Sequence, residues 1–182
     1  MVDFSLAATP GPYHIINYGL LLGAQIFQPV AGIIAFRVIP RPEFAKLQAN
    51  TFPVYFAWQA VVPALLALTY PGEKTPFGTV NVGPAGLLAE ENRLHVLAPL
   101  VTVLVTALVN RFFVLPASTK VMAERRKQEN QDGKKSYDDG PKSPEMTALN
   151  KSFKKYHDIS GLLQLSAIVA TVWYGFTLGT RL

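Results

Sequence analysis

The residues best placed for chemistry in this 182-residue chain are uncharged amides and hydroxyls, set at helical spacing in stretches without Asp, Glu, Lys or Arg. Asn17, Gln25 and Gln28 recur with Leu21 on one helical face. Thr102, Thr106 and Asn110 follow at four-residue steps, and His157, Ser160, Gln164 and Thr171 share another face. Gln59 represents the remaining stretch. Such groups hydrogen-bond to one another or to a polar molecule but supply no formal charge. One reading is interhelical bonding that holds a bundle together, each contact contributing roughly 0.6–2 kcal/mol. The other is a hydrated path or binding cavity. The first is favoured, because proton- and ion-coupled carriers place an ionisable residue near the midplane and none lies deep in these stretches.

Other chemistries find less support. The chain has no Gly-x-Ser-x-Gly elbow, no phosphate loop and no paired carboxylates at the expected membrane surface, so no enzymatic activity is expected. His157 and Asp158 are neighbours, but adjacent helical side chains point about 100° apart and form no dyad. His14 and His95 are expected near one face and His157 near the other, with no paired-histidine spacing, so neither metal nor cofactor is expected. With no cysteine, disulfides, thiolate metal sites and thiol catalysis are excluded.

The elements that must carry these residues are the four uncharged stretches themselves: 4–36, 47–72, 94–110 and 159–180. Roughly 20 apolar residues cross the hydrocarbon of a bilayer; the third stretch reaches that length if Arg111 snorkels and residues 112–115 complete the helix. The expected fold is all-α, a single integral membrane domain over 1–182 with spans at about 13–38, 52–70, 93–115 and 157–180. The N-terminus lacks a basic region and a cleavage motif, so the first span is expected to act as its own insertion signal.

Charge is segregated. Of the 17 Lys and Arg, fourteen lie in the 37–46 and 111–155 regions and only Lys74, Arg93 and Arg181 on the other side. The positive-inside rule puts the loops at 39–46 and 116–156 in the cytosol and both termini outside or in a lumen. The surplus is read as a topology signal with attraction to anionic lipid, not as a nucleic-acid surface. An endomembrane or the plasma membrane is expected; oligomeric state and protein partners are not legible.

Along the chain, residues 1–12 read as a polar arm, and Pro29 and Pro63 as bends in the first two helices. Asn50 or Thr51 is expected to cap the second helix, with Pro53 in its first turn. Pro116 is expected to interrupt the third helix, followed by a basic amphipathic helix over 117–131 along the membrane surface and a disordered segment at 132–142. Ser143 and Pro144 then start a long last helix that projects past the bilayer. The Gly19-x-x-x-Gly23 and Gly175-x-x-x-Gly179 pairs are expected to pack within the bundle. Asn150-Lys151-Ser152 matches a glycosylation signal but is expected to stay unmodified on the cytosolic side.

Three blocks, FRVIPRPEFAKLQANTFPVYF at 36–56, NRFFVLPASTKVMAE at 110–124 and FKKYHDISGLLQL at 153–165, together with YGLLLGAQIF at 18–27, give the chain a resemblance to the transmembrane protein 205 family, in a fungal-type form. The resemblance covers all four spans and implies a four-helix membrane fold with no agreed activity. It singles out Gln25; Pro40 and Phe44; Gln48, Phe52, Pro53, Tyr55 and Phe56; Asn110 and Pro116; and Phe153, His157 and Ser160. Gln164 stands where the family usually has Asn, a longer amide in the same place. Pro40, Gln48, Asn110, Pro116, His157 and Ser160 are expected to gather near the cytosolic boundary, either capping helix ends or docking a partner. The function favoured is non-enzymatic, through partners or trafficking; the alternative is a small-solute or metal-drug transporter along Gln25, Thr106, Asn110 and Gln164.

Overall fold

A computed structural model describes residues 9–76 and 78–181. Most of the expected N-terminal arm, residues 1–8, lies outside the described residues. The chain is all-α apart from one short hairpin: α1 Pro10–Val38, α2 Arg41–Leu68, β1 Glu73–Thr75, β2 Gly78–Val80, α3 Gly83–Leu88, α4 Ala98–Val109, α5 Leu115–Asp132 and α6 Pro144–Gly179. Four helical runs are long and apolar enough to cross a membrane, the third being continuous from Glu90 to Asp132.

Lipid as the solvent explains which side chains face outward. One large apolar residue on each run stands almost free: Phe27 and Val54 at 70%, Phe113 at 70% and Phe176 at 76% exposure. Water would not tolerate so large an apolar surface. The interior is the more polar side, with His14, Gln25, Gln59, Asn92 and Asn110 all at 1% exposure or less. Between them pack Leu21, Leu66, Val96, Val103 and Ala167.

Three boundaries differ from the sequence expectation. α2 begins at Arg41, not near residue 52, with Pro42 and Glu43 in its first turn. Asn50 and Thr51 do not cap it; their side chains donate back to the Lys46 and Leu47 carbonyls at 2.8 and 3.0 Å. Pro53 therefore lies in the helix interior, where membrane helices tolerate it. Pro116 does not interrupt the third run. A wide π-helical turn, Asn110–Val114, precedes it, just as Arg93–Leu97 precedes Pro99. Proline lacks an N–H and its ring crowds the carbonyl four residues back; one extra residue per turn moves that carbonyl aside and the helix continues.

α5 consequently continues the third helical run and packs against α6. Val121 and Met146 are buried between the two helices, and the Arg125 guanidinium sits 4.6 Å from the Phe153 ring centroid. At 1.5 Å per residue α6 is about 54 Å long, so this helical pair projects well past a hydrocarbon core of about 30 Å.

The segment between α5 and α6 holds turns and bends without regular structure, tied by polar bonds at both ends. Gly133, at φ 63°, ends α5 in the left-handed conformation. The Ser143 hydroxyl accepts from Met146 N–H at 3.1 Å and donates to Asp132 at 2.7 Å. Glu129 accepts from the Ser136 amide at 3.0 Å. Local polar bonds here do what apolar burial does elsewhere.

Glu129 sits outside the span, at the far end of α5. Burial pushes its carboxyl up, but the Ser136 hydrogen bonds and the Lys135 and Arg125 charges outweigh that and hold it below the usual 4.5. A depressed carboxyl stabilises the fold above its unfolded value, and that contribution is lost as pH falls through the folded value. Amide protection at Ser136 is therefore expected to drop as pH falls below 4.5, and in Glu129→Gln to be low and flat with pH. An unchanged profile in the variant, read by hydrogen exchange, would count against this contact.

Candidate functional site: a buried amide layer beneath a polar cap

Antiparallel helices fix which residues share a depth, and two contacts set the register. At the end carrying β1, β2 and α3, here termed the capped end, His14 Nδ1 lies 3.2 Å from Thr69 Oγ1 and Nε2 lies 2.5 Å from the Tyr174 hydroxyl. The Thr69 hydroxyl already donates to Leu65 O at 2.7 Å. It can only accept from the imidazole, so Nδ1 carries the hydrogen and Nε2 accepts from Tyr174. Three spans are thus tied at one level by one neutral histidine.

Beside this triad, Arg181 closes the same end. Its guanidinium donates to Asn92 Oδ1 at 2.6 Å and to the Tyr70 hydroxyl, and pairs with Glu73 at 3.0 Å. Asn92 in turn donates to Gly86 O at 2.9 Å. The cap joins the end of α2, β1, α3 and the last helix through polar contacts between residues far apart in the chain.

Gln25 lies eleven residues along α1 from His14, Gln59 ten residues before Thr69, and Gln164 ten before Tyr174. At 1.5 Å per residue, all three sit roughly 15 Å below the His14–Thr69–Tyr174 level. Asn110 is eighteen residues from Asn92, and Gln164 seventeen from Arg181, its partner. Asn110 therefore shares that depth as well. Tyr55, one turn from Gln59, turns its hydroxyl toward the Gln59 and Gln164 amides without a well-formed bond to either.

All four spans contribute an amide to this layer, yet only one pair is joined: Gln59 Nε2 donates to Gln164 Oε1 at 3.1 Å. Both side-chain atoms of Gln25, both of Asn110, Gln164 Nε2 and the Tyr55 hydroxyl are buried without a partner among the described residues. Pro29 and Pro63 each remove the N–H that a regular helix would offer to the carbonyl four residues back, which belongs to Gln25 and Gln59 respectively. Polar capacity is concentrated at one depth and mostly unspent. Buried groups of this kind cost roughly 1–3 kcal/mol each when unpaired.

The remaining candidates scatter. Thr102 and Thr106 donate to carbonyls of their own helix, so the third-span seam reduces to Asn110. Gln28 is partly exposed, and His157 points outward, stacked on Phe153 at 6.1 Å. Ser160 is half-buried and Pro116 exposed. Gln48 packs toward Gly32 of α1, Phe52 stacks on Phe56 at 5.7 Å, and Pro40 is exposed in the α1–α2 corner. Pro40 lies nineteen residues before Gln59, roughly 28 Å from the layer that holds Asn110. The expected gathering of Pro40, Gln48, Asn110, Pro116, His157 and Ser160 at one boundary is therefore not what the fold builds. Helix rise separates them; Asn110 and Tyr55 belong to the amide layer.

The glycine pairs also divide. A Cβ on Gly175 would meet the Tyr18 hydroxyl at 1.9 Å, a tight contact inside the bundle, whereas Gly19, Gly23 and Gly179 have nothing within 4 Å. His95 lies exposed and stacked on Trp173 at 5.9 Å, away from the buried His14. No group of three or more His, Cys, Asp or Glu able to hold a metal occurs among the described residues.

Comparison with known proteins adds a family and one relative. A family model described as Domain of unknown function (DUF4149) matches residues 16–127, which carry the first three spans and most of α5. The chain is also similar to Xanthocillin biosynthesis cluster protein D of Aspergillus fumigatus, at 31% identity over 172 residues, covering 94% of this chain and 90% of that protein. No solved structure matches it.

Proposed function

The chain belongs to the family described as Domain of unknown function (DUF4149), and from that premise we propose that this multi-pass membrane protein passes a small solute through its helix bundle, by way of the amide layer. One observation carries the reading: six side-chain polar atoms from all four spans lie buried without partners, within about one helical turn of a common depth. A layer whose task was to hold helices together would pair its amides, and only Gln59 and Gln164 do so. The Aspergillus relative is named for a biosynthesis cluster, which accords with a role in handling a small molecule. No covalent chemistry is assigned to the layer, since nothing in it is a nucleophile or an acid–base pair.

The finer resemblance to the transmembrane protein 205 family is retained as part of this reading, as is an orientation with the basic α1–α2 corner and the α5–α6 pair in the cytosol. A second reading, docking of a protein partner, draws on the projecting α5–α6 pair, whose basic surface also suits anionic lipid.

Purified protein in liposomes loaded with a mixture of small metabolites tests the proposal. Efflux of at least one class is expected well above protein-free vesicles. Asn110→Ala and Gln164→Ala, each still folded by circular dichroism, should cut it about tenfold, the effect of losing one hydrogen bond near 1.4 kcal/mol. Efflux no faster than from empty vesicles would overturn solute passage and leave the docking reading.

A further inference from the structure

We infer that the solute taken by the amide layer is small, formally uncharged and both a donor and an acceptor of hydrogen bonds, as a primary amide or urea is. This rests on the passage reading and deepens it. The unpartnered atoms are of both kinds: the Gln25, Asn110 and Gln164 amide nitrogens donate, the Gln25 and Asn110 oxygens accept, and the Tyr55 hydroxyl does either. The Gln25 and Gln59 backbone carbonyls, deprived of their usual donors by Pro29 and Pro63, add acceptors at the same level. A ligand that only accepted or only donated would leave half the layer unsatisfied. One that does both can replace the layer's missing partners bond for bond.

Charge is disfavoured for a separate reason. Among the described residues no carboxylate or ammonium lies in the uncharged stretches that carry the layer, so nothing offsets the cost of desolvating an ion at this depth. Arg111, next to Asn110 in the chain, is only half-buried and its guanidinium lies 5.7 Å from the exposed Phe112 ring, on the lipid side. It adds a penalty for cations. Size is limited by packing: Gln25 and Asn110 are at most 1% exposed, which leaves no room for a large ligand and restricts the solute to a few heavy atoms.

Stopped-flow swelling of proteoliposomes in acetamide or urea gradients tests this, with potassium and chloride flux measured on the same vesicles. Acetamide and urea permeability should exceed that of empty vesicles at least tenfold. Gln25→Met or Asn110→Leu should remove that excess, and neither ion should move. Ion flux without amide flux would overturn the uncharged class while keeping passage. Movement of neither would overturn passage, and a second measurement then decides the site: broadening of the ¹⁹F resonance of trifluoroacetamide by the solubilised protein, lost in Gln25→Met, would keep the layer as an amide-binding site. No broadening would overturn that too.

Discussion

Gly86→Ala is expected to unfold the capped end and to cost about 3 kcal/mol or more of stability. An added Cβ would lie 1.5 Å from Asn81 O, 2.2 Å from its carbonyl carbon and 2.9 Å from its Cα. All three are backbone atoms, so no rotamer change relieves the clash, and overpacking of a closed site typically costs 1–3 kcal/mol before lost contacts are counted. Here contacts are lost too. Gly86 O accepts from Asn92, and Asn92 accepts from Arg181, so displacing α3 disturbs the clamp that joins the last helix to β1. Asn81 has little freedom to yield, being held at φ 56°. Gly19→Ala provides the contrast. Nothing lies within 4 Å of that position, and alanine in a helix interior gains roughly 0.5–1 kcal/mol over glycine. Thermal unfolding in detergent should therefore separate the two variants widely, and equal melting temperatures would refute the packing described for α3.

Gln25→Met is expected to act in the opposite direction on stability and to abolish solute passage. Methionine nearly matches glutamine in volume and brings no polar atom that needs a partner. Both polar atoms of Gln25 are buried and unpaired, so removing them should raise stability by about 1–2 kcal/mol. The sign decides between roles. If Gln25 bonded neighbouring helices together, the same substitution would destabilise the bundle by roughly 0.6–2 kcal/mol. A gain in melting temperature coupled to loss of amide flux would mark Gln25 as a residue kept for function at a cost in stability. A loss of both would return the layer to a structural role. Gln59→Leu serves as internal control: its amide is paired with Gln164 at 3.1 Å, so it should destabilise even if Gln25→Met does not.

Much of the architecture was legible because lipid imposes a simple rule on composition. Uncharged stretches of span length, and lysines gathered in two connections, are one-dimensional features that survive without knowledge of contacts. The α2 start was missed although its signal was present: Pro42 and Glu43 mark a helix N-terminus as clearly as the Asn50–Pro53 segment did. Pro116 was misread because a π-helical turn, not a break, accommodates it. The side chain–backbone bonds that tie the turn after α5 span few residues, and mean composition does not register them.

For the site, the sequence alone determined that each span carries an uncharged amide or hydroxyl seam, which the cost of polar groups in hydrocarbon favours turning inward. Only the tertiary structure decided that Gln25, Gln59, Asn110 and Gln164 stand at one depth, that two of them pair, and that His14, Thr69 and Tyr174 lock the level above. Those facts depend on the mutual register of antiparallel helices, set by contacts between residues 55 to 160 positions apart. A shift of one turn would carry an amide about 5 Å out of the layer without changing the pattern along the chain.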